Sequence, residues 1–122
     1  MAICVSIPGL RTRSLNEREH LQVKAKRIAR ERAVTRLACA PPCSALRAHA
    51  PLRLTITLVR IGSRRMDSDN SIGSLKAIRD GVADALGIDD GDPRLTWEYR
   101  QETGPFGVRI YLDLLRSHES VG

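Results

Sequence analysis

Aromatic side chains are scarce: Trp97, Tyr99, Phe106 and Tyr111 make up 3% of the 122 residues. So few rings argue against base-stacking nucleic-acid modules such as RRM and OB folds. Any contact with nucleic acid is therefore expected to be mainly electrostatic. Long hydrophobic runs are missing too. No window approaches the roughly 18 apolar residues that a membrane-spanning helix needs, and Met1–Gly9 is too short for a secretory signal. The expectation is a soluble, cytoplasmic protein with no membrane partner. Cysteine is sparse and odd in number (Cys4, Cys39, Cys43), so no disulfide framework is expected. Cys39 and Cys43 straddle Pro41-Pro42 with no second Cys/His pair at zinc-finger distance, and a structural zinc site does not follow. His20, His49 and His118 are scattered, none of them in a pattern with a nucleophile. All six are read as packing or surface residues.

What is present is ordinary globular usage, 42% hydrophobic and 28% charged, enough for one core and too little chain for two domains. A single domain over 1–122 is expected, with its core within about 1–116 and 117–122 as a frayed tail. The net charge is +6, unevenly spread. Residues 1–50 hold ten Lys/Arg against three Glu, and residues 51–122 hold ten against eleven acids. From Asp67 to Asp92 seven Asp face only Lys76 and Arg79. A basic stretch attracts polyanions, whereas a carboxylate cluster repels phosphate unless a cation sits between them. A divalent metal at a phosphodiester reconciles the two; the plainer alternative is a solvated charged surface.

Apolar periodicity places the elements. Ile3, Val5 and Ile7 alternate before Pro8-Gly9, as in a short strand. Ser14-Leu15-Asn16-Glu17 has capping-box spacing, and a helix is expected from about Leu15 to Ala38, ended by Ala40-Pro41-Pro42. Its stripe Leu21, Ala25, Ile28 should pack, with Lys26, Arg27 and Arg30 on the opposite face. Leu52, Leu54, Ile56 and Leu58 alternate with Arg53, Thr55, Thr57 and Val59 in a half-buried strand. Leu75, Ile78, Val82 and Leu86 recur at helical spacing, with Asn70 or Asp69 as N-cap and Gly87 at the C-terminal end. Leu95, Trp97 and Tyr99, then Val108, Ile110, Leu112 and Leu114, read as a hairpin. The order β-α-β-α-β-β implies an α+β fold, a mixed sheet with helices packed on it.

The richest constellation is Asp67-x-Asp69-Asn70 followed about twenty residues later by Asp89-Asp90. Hard cations such as Mg²⁺ take oxygen ligands, usually one or two carboxylates with water and substrate phosphate. Asp67 and Asp69 can point to one side of extended backbone, and the intervening helix is expected to bring Asp90 back to them. Equally, Asp69 and Asn70 can be caps and Asp89, Asp90 and Asp92 turn residues.

Asp67-Ser68-Asp69-Asn70, the helix residues Lys76 to Asp80 and Asp84-Ala85-Leu86, and Asp89-Asp90 together resemble the signature of the RusA-type Holliday junction resolvases, over roughly a third of the chain from Arg64 to Tyr99. The resemblance implies a small, dimeric, often prophage-encoded endonuclease of recombination and repair, which nicks four-way DNA with Mg²⁺ (or Mn²⁺) and needs no other cofactor. It implies Asp67, Asp69 and Asp90 as metal ligands, Lys76 as a catalytic group, and Asn70 and Asp89 as supporting residues. In that family the lysine lies three residues after the Asn, where this chain has Gly73. Lys76 is one helical turn further on, about 4.5 Å along the axis, and pairing with Asp80 at i,i+4 is its alternative role. Lys26, Arg27, Arg30, Arg64 and Arg65 are candidate DNA contacts, reading shape rather than sequence. A catalytically inactive DNA-binding remnant on the same scaffold is the competing reading, and a small interaction protein without nucleic acid is a third. Leu112, Leu114 and Leu115 suggest apolar side chains on both faces of one strand, hence a homodimer burying more than about 1,000 Å².

Overall fold

A computed structural model describes residues 2–14, 17–49 and 52–115. The chain folds as a single small α+β domain. Its strands are β1 (Ala2–Pro8), β2 (Leu54–Gly62), β3 (Leu95–Thr103) and β4 (Gly107–Leu114), and its helices α1 (Leu21–Arg47), α2 (Ser68–Ser74) and α3 (Lys76–Leu86). The sheet order is β1-β4-β2-β3, with β2 and β3 parallel and the other two pairs antiparallel. Alternation sorts the side chains. Ile3, Val5 and Ile7 of β1 pair across β4 with Leu112, Ile110 and Val108, and these pair with Ile56, Leu58 and Arg60 of β2. This face is covered by helices and, with Cys39, Cys43, Leu46, Leu75, Ile78, Val82 and Leu86, makes the core. The opposite face carries Thr55, Thr57, Glu98, Arg100, Arg109 and Tyr111.

The expected hairpin does not form, because β2 lies between β3 and β4. The chain instead steps over the end of β2, where the Gly104 N–H donates to the Gly62 carbonyl (2.9 Å). Alternation reveals that two segments are strands; it carries no record of whether they are neighbours. The apolar residues near the end of β4 also lie otherwise than expected. Leu112 and Leu114 share the helix-covered face, while Leu115 follows the strand, so β4 presents no second apolar face.

α1 starts six residues later and ends nine residues later than its sequence signals suggest. Its N-cap is His20, whose Nδ1 accepts from the Gln22 N–H (3.3 Å); Leu15 and Asn16 fall outside the described residues. Leu21, Ala25 and Ile28 are exposed, and the buried stripe is Glu31, Thr35, Cys39, Cys43, Leu46. That stripe continues at i, i+4, i+3 spacing past Pro41 and Pro42. Burial of Cys43 and Leu46 offsets the two backbone hydrogen bonds that the prolines forgo. Burial also pushes the Cys39 and Cys43 thiols up to about 12 and about 11, so both are inert packing groups.

The second helical segment is broken at Leu75 into α2 and α3, and α3 closes at Gly87 in the left-handed region (φ 68°). Close approach of α3 to α1 depends on Gly81. A Cβ there would lie 2.6 Å from the Arg32 carbonyl oxygen and 2.7 Å from Thr35 Cβ. Gly81→Ala is therefore expected to destabilise the fold by about 1–3 kcal/mol, as overpacking does. Urea denaturation at unchanged m-value measures it.

Candidate functional site

β2, α2-α3 and β3 form one parallel crossover, so the loop leaving β2 and the turn entering β3 lie at opposite ends of the two strands. The first carries Arg64, Arg65 and Asp67, and the second carries Asp89, Asp90 and Asp92. This topology is the reason the predicted trio does not assemble: among the described residues no three Asp, Glu, His or Cys side chains gather around a point that could hold a metal. A strand-helix-strand unit returns the chain to the start of the next strand, not to the end of the last.

Asp67 is the N-cap of α2, in place of the expected Asp69 or Asn70, on extended backbone (φ −55°, ψ 150°). Its carbonyl accepts from the Ser71 N–H (2.9 Å), yet its carboxylate makes no capping bond. Asp69 stands in the first turn of α2, and Asn70 is half-buried beside it. Both aspartates are exposed, at the end of the sheet where β2 finishes. Asp69 lies in the helix, not on the extended backbone that would turn both carboxylates to one side, and positions two apart at a helix start do not face each other. A hard cation needs only one or two carboxylates when water and phosphate complete the shell, and Asp67 and Asp69 each offer one such ligand. Asp90 is not available to join them.

Asp90 belongs to a second constellation. Arg79 Nε donates to its Oδ2 (2.8 Å), and Lys76 Nζ lies 3.8 Å from the same oxygen. Arg79 Nη1 donates to Tyr99 Oη (2.8 Å), while its guanidinium lies 4.7 Å from the centre of the Trp97 ring. Trp97 Nε1 in turn donates to the Asp90 carbonyl (2.8 Å). The hydrogen bond from Arg79, aided by Lys76, holds the Asp90 carboxyl below the usual carboxylate range. Lys76 donates to Asp80 (2.8 Å), which raises its pKa, so it remains an ammonium ion. It can attract phosphate but cannot act as a base at neutral pH. Asp89 and Asp92 are turn residues, accepting from the Gly91 N–H (3.4 Å) and the Arg94 N–H (2.9 Å).

Arg79, Trp97 and Tyr99 are the members of this cluster to which the sequence motifs assign no role. A usable signal is present nonetheless: Trp97 and Tyr99 alternate onto one face, each an apolar ring with a polar tip, and Arg79 follows Lys76 by one turn. Two adjoining hollows share Ile72 and Tyr99. One, of about 430 Å³, lies between Lys76, Arg79 and Asp90. The other, of about 370 Å³, lies between Arg65, Ser68 and Arg100, with Ser68 flanked by Asp67 and Asp69.

No family model and no curated protein matches this chain. Among solved structures it is similar to a 2C-methyl-D-erythritol 2,4-cyclodiphosphate synthase from Plasmodium vivax, with 12% identity and a TM-score of 0.30, over 75% of this chain and 57% of that one. The chain spans little more than half of that protein's length, and a likeness at this level assigns neither fold family nor activity.

The candidate DNA contacts divide between two places, the groove beside the edge strand β1 and the end of the interior strand β2. Beside the edge strand β1, a groove of about 640 Å³ is lined by Arg11, Arg13, Lys26 and Arg30 over Ile7, Val23 and Val34. Arg27 also borders it but is not a free cation. It is bound to Glu19 (2.7 Å) and Glu31 (2.6 Å), and its side chain is 12% exposed. Arg64 and Arg65 are exposed at the end of β2. No helix among the described residues is long and apolar enough to cross a membrane.

Proposed function

We propose that the chain is a Mg²⁺-dependent endodeoxyribonuclease that nicks branched, four-way DNA in recombination and repair. The observation that supports this reading is the pair Asp67 and Asp69. Two exposed carboxylates, one of them an N-cap that does not cap, stand beside Arg64 and Arg65 at the end of β2. Arginines draw in a phosphodiester that bare carboxylates would repel, and a cation between them removes the conflict. Bound there, Mg²⁺ would supply Lewis-acid polarisation of the phosphate and activation of water. The chain's own part is placement. Arg64, Arg65 and Arg100 orient the strand, and Lys76 and Arg79 give the neighbouring hollow a positive wall. Lys26 and Arg30, beside the edge strand β1, engage a second stretch of backbone. Two copies related by a two-fold axis would present equivalent sites to the two equivalent strands of a junction, and a homodimer working on DNA in the cytoplasm completes the reading.

One observation favours a non-catalytic DNA-binding protein instead: Asp90, the third carboxylate of the resemblance, is neutralised by Arg79 and Lys76. Incubating the protein with a synthetic four-way junction and with linear duplex, with and without Mg²⁺, separates the two. Paired nicks confined to the junction and to Mg²⁺ are the expected result. Salt-dependent binding with no nicks at any Mg²⁺ concentration would establish the non-catalytic alternative, and no binding at low salt would defeat both. In the same assay, Lys26→Gln with Arg30→Gln should lower the salt slope of binding by about 0.9 for each phosphate that is no longer neutralised.

A further inference from the structure

Two side chains from adjacent strands grip the backbone of the segment that carries Asp67. Gln101, in β3, accepts from the Met66 N–H through Oε1 (2.8 Å) and donates through Nε2 to the Met66 carbonyl (2.8 Å). That is the double bond pattern one residue offers another in an antiparallel ladder, supplied here by a side chain. Arg60, the register partner of Gln101 in β2, donates through Nη1 to the Arg64 carbonyl (2.9 Å) and is 5% exposed. The next carbonyl along from Met66, that of Asp67, accepts from Ser71 to begin α2. The peptide groups on both sides of the Asp67 Cα are therefore fixed. Only the side-chain torsions of Asp67 remain to place its carboxylate.

The same strand holds the other constellation. Trp97, four residues before Gln101 on the same face, bonds the Asp90 carbonyl. At about 3.3 Å per residue the two anchoring positions are roughly 13 Å apart.

We propose that Gln101 is a positioning residue: its carboxamide sets where Asp67 leaves the sheet, and through it the geometry of the Asp67 and Asp69 carboxylates toward a divalent cation. The consequence for the cation rests on the nuclease reading, whereas the grip on Met66 does not. Gln101→Met removes both bonds at nearly constant volume, and Gln101→Glu keeps only the acceptor. Met66 amide exchange, Asp67 backbone chemical shifts and Mn²⁺ titration followed by broadening of the Asp67 and Asp69 amide signals are the readouts, with circular dichroism confirming the fold.

In Gln101→Met, Met66 exchange should accelerate at least about tenfold and Mn²⁺ affinity should fall about tenfold, the size of effect that loss of an outer-shell partner produces. Gln101→Glu should lie between this variant and the wild type, and it carries the test if Gln101→Met fails to fold. Unchanged exchange at Met66 overturns the proposal, as does faster exchange with unchanged Mn²⁺ affinity. A wild-type protein whose Asp67 and Asp69 signals ignore Mn²⁺ defeats the nuclease reading alone. Gln101 is then judged by the Asp67 shifts, which must move in the variant, and their constancy would overturn its positioning role.

Discussion

Replacing Arg27 with methionine should lower the unfolding free energy by about 3–5 kcal/mol at neutral pH, the usual result of removing one partner from a buried ion pair. Glu31 is the reason. Its side chain is 1% exposed, and its partner is Arg27 Nη1 at 2.6 Å. Burial raises the Glu31 pKa, and Arg27 works against that rise. Without Arg27 the carboxylate is left charged in the core, and its pKa moves further up. A carboxyl whose folded pKa lies above its unfolded value stabilises the fold at low pH and loses that contribution as pH rises through the folded pKa. The variant should therefore recover part of the deficit on acidification toward pH 5, because in the wild type Arg27 limits the rise of Glu31 and also holds Glu19 low. Urea titrations at pH 5 and pH 7 decide the matter. Equal deficits at both pH values would mean that Glu31 does not carry the cost, and Arg27→Met with Glu31→Met should be far milder than Arg27→Met alone.

Asp69→Asn should reduce Mg²⁺-dependent nicking of a four-way junction by more than the roughly 10–100-fold that an outer-shell loss costs. Junction affinity should stay the same or tighten, because one negative charge facing phosphate is gone. The fold has little to lose: an acid in the first turn of a helix contributes about 0.3–1 kcal/mol through the dipole. Single-turnover cleavage beside a gel-shift titration gives both numbers. Nicking at the wild-type rate would remove Asp69 from the site, and joint loss of binding and cleavage would make it a folding residue. Asp90→Asn is the informative companion. Since Asp90 is held by Arg79, while Lys76 keeps its closer partner Asp80, its replacement should leave the Arg79 charge uncompensated toward DNA and tighten binding more than Asp69→Asn does.

The strands and α3 are legible in the sequence because the core face imposes a period, Leu54, Ile56 and Leu58 every second residue and Ile78, Val82 and Leu86 every fourth; β2 is nevertheless not half-buried as expected, since Thr57 and Val59 on its other face are buried too. The mixed sheet and its helical cover follow from element order. Strand adjacency does not, because β3 and β4 are consecutive in sequence yet separated by β2. α1 departs from expectation at both ends. At the C-terminal end the paired prolines at 41 and 42 yield to the buried stripe from Glu31 to Leu46, which a buried Glu and Thr disguise as polar, and at the N-terminal end His20 is the cap. At the site, Asp67 and Asp69 are legible as a pair, and Lys76 pairs with Asp80 as its spacing allows. The convergence of Asp90 fails because its position depends on the hand and direction of a crossover, information that no window of residues contains.

The placement of β4 has a consequence for how the molecule comes to exist. It follows β1, β2 and β3 in the chain yet occupies an interior lane of the sheet, between β1 and β2. A nascent chain on the ribosome can pair β2 with β3 and dock α3, but β1 has no neighbour until β4 arrives. Closure of the apolar layer thus waits for β4 and joins residues more than a hundred positions apart, such as Ile3 and Leu112. Such distant pairing slows folding and prolongs the exposure of unpaired strand edges. During that interval β1 is the surface that a chaperone would be expected to shield.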